Sequence, residues 1–268
     1  MNILVNGKTD KGRVRANNED NLYLDEKGGL LVVADGMGGH ASGEIASKIA
    51  VDVIRDYFNA VKEDRAALVG KYREEYSETT NHISSAVNLA NVAIYEAAKN
   101  NSAWQGMGTT VAAALLNGNR LSVAHVGDSR VYLVRAAHIE QLTDDHSVVY
   151  EQVKRELITK EEAQTSEMKN LLTRALGTSS EVEVDVDELT LAGGDILVLC
   201  TDGLNSMVSD DDILSAVVST HDPATACETL VNMANNNGGK DNVTVITGYM
   251  RKKCWYSFLL NIKEWFRR

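Results

Sequence analysis

The sequence predicts an α+β fold in one domain. Strand-like apolar runs open the chain, two long helical patterns follow, and strand-like runs return in the second half. Strands, then helices, then strands favour an α+β arrangement over a doubly wound parallel sheet. The 268 residues suit one large domain or two small ones, and no linker-like stretch divides them. One domain is therefore expected.

Apolar spacing predicts the elements of the first half in order. Alternating or continuous apolar runs indicate strands, and apolar residues three or four positions apart indicate an amphipathic helix. The predicted elements are strands at 2–9, 21–25 and 30–33, followed by helices at 45–61 and 83–99. The charged, aperiodic segment between the two helices is predicted to be a loop.

The second half begins with a predicted hairpin. Two strand-like runs, 110–116 and 120–126, flank Asn117-Gly118, and Asn-Gly between apolar runs is a strong hairpin signal. The polar segment 143–180 contains a capping box that starts at Thr159, which predicts a helical insertion or flap. Further strands are predicted at 131–134, 139–142, 182–189, 196–200 and 243–248, and helices after Ser209 and after Asp222.

Composition excludes several classes of protein. The net charge is −11, but residues 251–268 contain six Lys or Arg and one Glu, so residues 1–250 carry −16. An acidic body disfavours nucleic-acid binding, which depends on neutralising phosphates. Three scattered cysteines argue against a disulfide framework or a zinc knuckle and fit a reducing cytoplasm. No signal peptide or membrane span is expected, since the sequence has neither an apolar leader nor an apolar run of about 18 residues.

The stretch from Val32 to His40 joins a predicted buried strand to a glycine-rich turn. Asp35 ends the strand, and four of the next eight residues are glycine. Glycine lets the backbone turn sharply and leaves room for another group to approach it. Asp35 is therefore expected to bind a hard metal ion or to lie beside a phosphate.

Three further carboxylates stand near glycine at a predicted strand end or start: Asp128, Asp202 and Asp241, and the pair Glu19-Asp20 adds another acidic point. A lone Asp-Gly is more often only a turn, but the joint spacing favours a shared site. Oxygen ligands without organised His or Cys suit Mg²⁺ or Mn²⁺ and not zinc. Two such ions would lower the pKa of a shared water and bind a phosphoryl oxygen. The six scattered histidines give no catalytic order and are expected to be structural.

Six motifs in the same order resemble the metal-dependent protein phosphatase 2C (PPM) family in its compact bacterial form. They are Arg15-x-x-x-Glu19-Asp20, Asp35-Gly36-Met37-Gly38-Gly39-His40, Gly108-Thr109-Thr110, Val126-Gly127-Asp128-Ser129-Arg130, Thr201-Asp202-Gly203-Leu204 and Asp241-Asn242-Val243-Thr244. The resemblance covers about residues 9–249. It implies a four-layer α-β-β-α sandwich, in which helices flank two antiparallel sheets and the metals lie at one end. Residues 1–250 would form the phosphatase domain, with 143–180 as a flap beside the active site.

The resemblance also implies a role for each site residue. The implied metal ligands are Asp35 as the bridge between two ions, the Gly36 carbonyl, Asp202 and Asp241, with Glu19 and Asp20 acting through waters and Asp128 with Asp202 forming a third, weaker site. Arg15 would bind the substrate phosphate, a task that suits its planar fork of donors. Gly108-Thr109-Thr110 is expected to be structural.

The implied activity is Mn²⁺- or Mg²⁺-dependent hydrolysis of phosphoserine and phosphothreonine on proteins. A metal-bridging hydroxide would attack the phosphorus, and the enzyme would oppose a bacterial Ser/Thr kinase. Met37 departs from the histidine that some members carry as a proposed general acid, which leaves the acid open, with His40 as an untested alternative. One rival hypothesis is a pseudophosphatase that binds phosphoprotein without turnover, although the intact carboxylates argue against it. The other, a cation-binding structural protein, leaves Arg15 unexplained.

Residues 251–268 lie outside the resemblance. Their aromatic and aliphatic side chains fall on one helical face, with Lys or Arg at both ends. A helix docked on the domain would explain this pattern. The sharper hypothesis is a helix that binds an anionic membrane surface or a partner protein. The expected location is the cytoplasm, at the inner face of the membrane if this tail binds lipid.

Overall fold

The structure is a computed structural model that describes residues 3–38 and 42–251. The strands are β1 (Ile3–Asp10), β2 (Asp20–Asp25), β3 (Leu30–Met37), β4 (Gly108–Thr109), β5 (Val111–Asn117), β6 (Arg120–Val126), β7 (Arg130–Arg135), β8 (His138–Gln141), β9 (Asp185–Thr190), β10 (Ile196–Cys200) and β11 (Val243–Met250). The helices are α1 (Ser42–Lys62), α2 (Glu78–Asn100), α3 (Val148–Lys154), α4 (Lys160–Thr165), α5 (Asp202–Asn205), α6 (Asp210–Thr220) and α7 (Pro223–Asn236), with a 3₁₀ turn at Ser102–Trp104.

The strands form two antiparallel sheets. One has the order β1-β11-β10-β7-β8, and the other has the order β2-β3-β5-β6-β9, with short β4 paired to the end of β3. Every pair of neighbouring strands is antiparallel. The predicted α+β class and its two antiparallel sheets are confirmed.

Side chains of the central strands alternate between two cores. In β3, Leu31 and Val33 face the core between the sheets, whereas Val32 and Ala34 face the core under α1 and α2. Strand β10 alternates in the same way between the inter-sheet core and the core under α6 and α7. Both faces of these strands are buried, which explains their continuous apolar sequence. The result is the expected order of four layers, α-β-β-α.

Most element ends follow local signals. Ser209 and Asp222 cap α6 and α7, and Thr159 forms the predicted capping box of α4 within the 143–180 segment. The β5–β6 turn consists of Gly118 and Asn119 between the paired Asn117 and Arg120. Gly118 has φ of +68°, a value that favours glycine.

Two predictions concern residues outside the described ranges. One is the role of His40, and the other is the C-terminal helix over 251–268, of which only Arg251 is described. Within 3–38 and 42–251, no helix combines the length and the apolar character that crossing a bilayer requires.

Candidate metal centre

The predicted site residues converge at one end of the sandwich. Asp35 lies near the end of β3, Asp128 in the β6–β7 turn, Asp202 two residues after β10 and Asp241 two residues before β11. A cleft of about 400 Å³ is lined by these four residues and by Arg15, Glu19, Gly36, Met37, Thr110, Asn170 and Leu172, among others. Residues separated by more than 200 positions in the chain therefore share one cavity.

Asp20 lies behind the wall of this cleft. It pairs with Asp35 across the β2–β3 ladder and is only 6% exposed. Its Oδ2 accepts a hydrogen bond from Thr201 Oγ1 at 2.8 Å. Asp20 thus lies close to the cleft without lining it.

Two glycines bring the end of β3 against the first turn of α1. A Cβ at Gly36 would lie 2.1 Å from the Gly43 carbonyl oxygen, and one at Gly43 would lie 2.5 Å from Glu19 Oε2. Ser47 Oγ, one turn further along α1, donates to the Glu19 carbonyl oxygen at 2.6 Å. The glycine-rich sequence therefore permits a close backbone contact that fixes Glu19 and Gly36 together.

Thr109 and Thr110 hold the backbone of Asp35. Its carbonyl oxygen accepts from Thr109 Oγ1 at 2.7 Å and from the Thr110 N–H at 2.9 Å. Its own N–H donates to Thr110 Oγ1 at 3.1 Å, and that hydroxyl also contacts Ser129 Oγ at 2.7 Å. The expected structural role of Gly108-Thr109-Thr110 thus corresponds to support of the strand end that carries Asp35.

Asn242 has a role that sequence reasoning missed. Its Oδ1 accepts from the Glu19 N–H at 2.8 Å, and its Nδ2 donates to the carbonyl oxygens of Lys11 and Asn17 at 3.0 and 2.9 Å. These bonds hold the loop that carries Arg15. In the sequence, Asn242 is marked by its place in the Asp241-Asn242-Val243-Thr244 motif, which does not indicate these contacts.

Burial and mutual repulsion raise the pKa of four carboxyls in this region, those of Asp20, Asp35, Asp128 and Asp202. Burial is the larger cause for each, and neighbouring carboxylates add to it. The pKa of Asp20 rises to about 7 and that of Asp128 to about 8, while those of Asp35 and Asp202 are also raised.

The donor set fits divalent cations. Among the described residues, Asp20 Oδ1 and Asp202 Oδ1 are buried without a hydrogen-bond partner. A buried carboxylate oxygen without a partner is costly unless a cation or donor compensates it. Clustered carboxylate oxygens are the ligands that Mg²⁺ and Mn²⁺ prefer. The cleft is therefore chemically suited to such ions.

Arg15 and Asp241 form an ion pair at the mouth of the cleft. Arg15 Nη2 donates to Asp241 Oδ2 at 2.6 Å, and this bond is the largest cause of a raised Arg15 pKa. The Arg15 side chain is 54% exposed. The family resemblance assigns Arg15 to the phosphate and Asp241 to a metal ion, and the structure places the two side chains in contact with each other.

The predicted flap contributes Asn170 and Leu172 to the cleft wall. One short bridge, between Ser147 and Leu172, joins two parts of the flap, and another, between Thr109 and Leu176, ties the flap to the body. Met37 also lines the cleft, with no titratable proton to offer.

A second polar cluster lies beside the Gly127-Asp128 turn. His125, His146 and Asp185 each place a potential ligand atom within 4.8 Å of the others. These residues are scattered in the sequence, because His125 is on β6, His146 lies near the start of the flap segment and Asp185 opens β9. Only the tertiary fold brings them together.

Comparison with known proteins supports one family. The model of the protein phosphatase 2C family matches residues 10–236. The serine/threonine phosphatase stp of Listeria innocua is 38% identical over 242 residues, which cover 89% of this chain and 92% of that protein. The protein phosphatase PhpP of Streptococcus pneumoniae is 38% identical over 240 residues, covering 88% of this chain and 93% of that protein.

Solved structures agree with these relatives. The Mycobacterium tuberculosis serine/threonine phosphatase PstP/Ppp has a TM-score of 0.83 at 35% identity, covering 94% of this chain and 100% of that chain. A catalytic domain of the serine/threonine phosphatase PstP, solved in complex with two manganese ions, has a TM-score of 0.79 at 36% identity. That comparison covers 94% of this chain and 99% of the solved chain.

Proposed function

Because the chain belongs to the protein phosphatase 2C family and is a protein serine/threonine phosphatase, we propose that it works with Mn²⁺ or Mg²⁺ held by the carboxylate cleft. Its substrates are then phosphoserine and phosphothreonine on proteins. The observation that carries this proposal is the convergence of Asp35, Asp202 and Asp241 on one cleft, together with the partnerless oxygen of Asp202. The two manganese ions of the related PstP catalytic domain support it further.

The proposed ligands follow the arrangement of the cleft. Asp35 would be the shared ligand of two ions, with the Gly36 carbonyl as a ligand to one of them and Asp202 and Asp241 as ligands to the other. Asp128 and Asp202 would hold a third ion more weakly. Glu19 and Asp20 act through water, which agrees with the position of Asp20 behind the cleft wall.

Bound divalent ions would lower the pKa of a bridging water, supply hydroxide as the nucleophile and neutralise the phosphoryl oxygens. Arg15 is proposed to bind the phosphate. Its side chain is exposed at the cleft mouth and, among the residues that the structure describes, is paired with Asp241 alone, so it can exchange that carboxylate for a phosphate with two parallel hydrogen bonds.

The leaving Ser or Thr oxygen must gain a proton. Met37 supplies none, although it lines the cleft where a general acid would be useful. We therefore expect water in the cleft to deliver this proton, with His40 as an alternative donor to be tested by substitution.

Metal dependence separates a phosphatase from a pseudophosphatase. We expect hydrolysis of p-nitrophenyl phosphate and of a phosphothreonine peptide with Mn²⁺, and loss of both with EDTA. Asp202→Asn should reduce turnover at least 100-fold, whereas Asp211→Asn, an exposed carboxylate on α6, should not. Turnover that is indifferent to EDTA and to Asp202→Asn would contradict the metal proposal. Phosphopeptide binding without turnover would support the pseudophosphatase instead.

The proposed cellular role is to oppose a bacterial Ser/Thr kinase in the cytoplasm. The division into a phosphatase domain over 1–250 and a tail over 251–268 belongs to the same proposal.

Co-sedimentation with anionic vesicles, compared between the full chain and a chain that ends at residue 250, tests whether the tail binds a membrane. Equal binding by both chains would contradict a membrane role for the tail.

A further inference from the structure

The cluster of His125, His146 and Asp185 has the composition of a metal site. The two imidazole rings are stacked, with centroids 4.6 Å apart and planes inclined by 23°. His146 Nε2 lies 3.2 Å from Asp185 Oδ2. His125 Nε2 donates to the Asp144 carbonyl oxygen at 2.8 Å, and burial lowers the pKa of this imidazole.

Hydrogen bonding decides between a metal ligand and a structural role for His146. The Gly127 N–H donates to His146 Nδ1 at 3.1 Å, so Nδ1 carries no proton. A neutral imidazole then has its proton on Nε2, and Nε2 donates it to Asp185 Oδ2. A protonated nitrogen has no lone pair for a metal ion. The cluster is therefore a chain of hydrogen bonds and not a metal site.

This series of hydrogen bonds links the flap segment to the Gly127 backbone. Arg174, near the end of the flap, donates from Nη1 to Asp185 Oδ1 at 2.5 Å and to the Glu183 carbonyl oxygen at 3.0 Å. His146 also holds Gly127 through its backbone, since the His146 N–H donates to the Gly127 carbonyl oxygen at 2.9 Å. Both polar groups of the Gly127 backbone are thus bound by one residue.

The position of Gly127 affects two parts of the cleft. Its φ is +105°, and a Cβ there would lie 2.6 Å from Thr110 Cβ, so the turn packs directly on Thr110. Thr110 in turn accepts from the Asp35 N–H and contacts Ser129 Oγ. The residue after Gly127 is Asp128. A displaced turn would therefore move Asp128 and loosen the support of Asp35.

We propose that His146 is a positioning residue whose Nδ1 fixes the Gly127-Asp128 turn, while Asp185 and Arg174 fix the orientation of its ring. The inference rests on the proposed function, because Asp128 is assigned there to a third cation. It adds a connection between the flap and that cation site that runs through side chains outside the cleft.

Two substitutions of His146 test the roles of its two ring nitrogens separately. In His146→Asn, Oδ1 stands near the place of Nδ1 and can still accept from Gly127, but the contact with Asp185 is lost. In His146→Gln, the amide reaches the place of Nε2 and can still donate to Asp185, but the acceptor for Gly127 is lost. The pair therefore tests the Gly127 contact against the Asp185 contact within one position.

The measurements are Mn²⁺ titration by calorimetry and amide hydrogen exchange at Gly127. We expect His146→Gln to weaken the weakest Mn²⁺ step about five- to tenfold, the effect of one lost hydrogen bond, and to speed exchange at Gly127. His146→Asn should stay within about twofold of the original protein in both. Thermal unfolding of both variants reports any general loss of fold.

Equal Mn²⁺ affinity in the two variants, or a larger loss in His146→Asn, would overturn the inference. Asp128→Asn is the reference, since it should remove the weak step altogether. The proposed function fails in a different way, when Asp202→Asn binds Mn²⁺ as the original protein does. The two failures are therefore distinguishable.

Discussion

The ion pair between Arg15 and Asp241 joins two residues with separate proposed roles. Its N–O distance is 2.6 Å, but the Arg15 side chain is half exposed. Exposed pairs contribute only about 0–1 kcal/mol to stability, so the pair can be exchanged at little cost for a phosphate or a metal ion. The contact is therefore compatible with both proposed roles in turn.

Substitution of Arg15 tests its proposed role. Lys keeps the charge but lacks the planar fork, so Arg15→Lys should raise KM for a phosphopeptide about tenfold, and the Mn²⁺ requirement should change little. Arg13→Lys, at a neighbouring exposed arginine, is the matched control. Steady-state kinetics at saturating Mn²⁺ provide the measurement, and an unchanged KM in Arg15→Lys would contradict the role.

Gly36 is a position where a single methyl group should matter. In Gly36→Ala the Cβ would meet the Gly43 carbonyl oxygen at 2.1 Å, and backbone cannot give way as a flexible side chain can. We expect a loss of turnover of at least 100-fold with Mn²⁺. Gly118→Ala has open space around its Cβ, so strain at its positive φ should cost about 1 kcal/mol of stability and leave turnover intact. Similar turnover in the two variants would contradict this account.

At the scale of single residues, the sequence predicted the carboxylates better than their partners. Asp35, Asp202 and Asp241 each adjoin a strand, and strand ends can be recognised from local pattern. The contacts of Asn242 with Glu19 and of His146 with Gly127 depend on tertiary packing, and no local pattern encodes them.

At the scale of elements, the observed helix and strand boundaries differ from the predicted ones for local physical reasons. Helix α2 begins at Glu78, about one turn before its apolar periodicity, because Ser77 caps a polar first turn. Strand β9 begins at Asp185 and not at residue 182, because its ladder with β6 starts with the His125–Asp185 pair. Short α5 follows β10 so closely that its four residues show no helical period.

The Ser77 cap predicts a stability effect without a catalytic one. Ser77 Oγ accepts from the Thr80 N–H at 3.3 Å and contacts the Glu188 carboxylate. Ser77→Ala should cost about 1 kcal/mol, which lowers Tm by roughly 2–4 °C in a protein of this size. Turnover should not change, since this end of α2 lies beside Asn117, away from the cleft. Ser215→Ala on α6 is the control in thermal unfolding, and an unchanged Tm in Ser77→Ala would contradict the importance of the cap.

At the scale of the whole molecule, folding brings together carboxylates from across the chain. Residues 1–250 carry a net charge of −16, and part of that charge is concentrated in one buried cleft. Like charges in a buried site oppose folding unless protons or cations neutralise them. The stability of the protein should therefore depend jointly on pH and on divalent ions.

The raised pKa values give this dependence a sign. The usual value is 3.8, and those of Asp20 and Asp128 rise to about 7 and about 8 in the folded protein. Between pH 3.8 and the raised values, Asp20 and Asp128 hold protons in the folded state that they have released in the unfolded chain. Their contribution to the free energy of unfolding therefore falls as pH rises. Bound Mn²⁺ replaces those protons. We expect Mn²⁺ to raise Tm more at pH 8 than at pH 5.5.

Thermal unfolding with and without Mn²⁺ at the two pH values measures this effect. Asp202→Asn should reduce the Mn²⁺-induced rise at pH 8, because it removes a proposed ligand. An equal rise at both pH values would mean that the stabilising ions do not compete with protons in the cleft.

The pairing of β1 with β11 has a consequence for how the chain can be cut and rejoined. Ile3 pairs with Met250 at one end of the sandwich, whereas Asp10 pairs with Val243 at the end that carries the cleft. The β5–β6 turn at Gly118 and Asn119 is exposed and lies at the same end as Ile3. A circular permutant that links residues 3 and 250 and opens at this turn would leave every segment of the cleft uninterrupted. The permutant would therefore change the order of the cleft segments along the chain and keep their arrangement in the cleft.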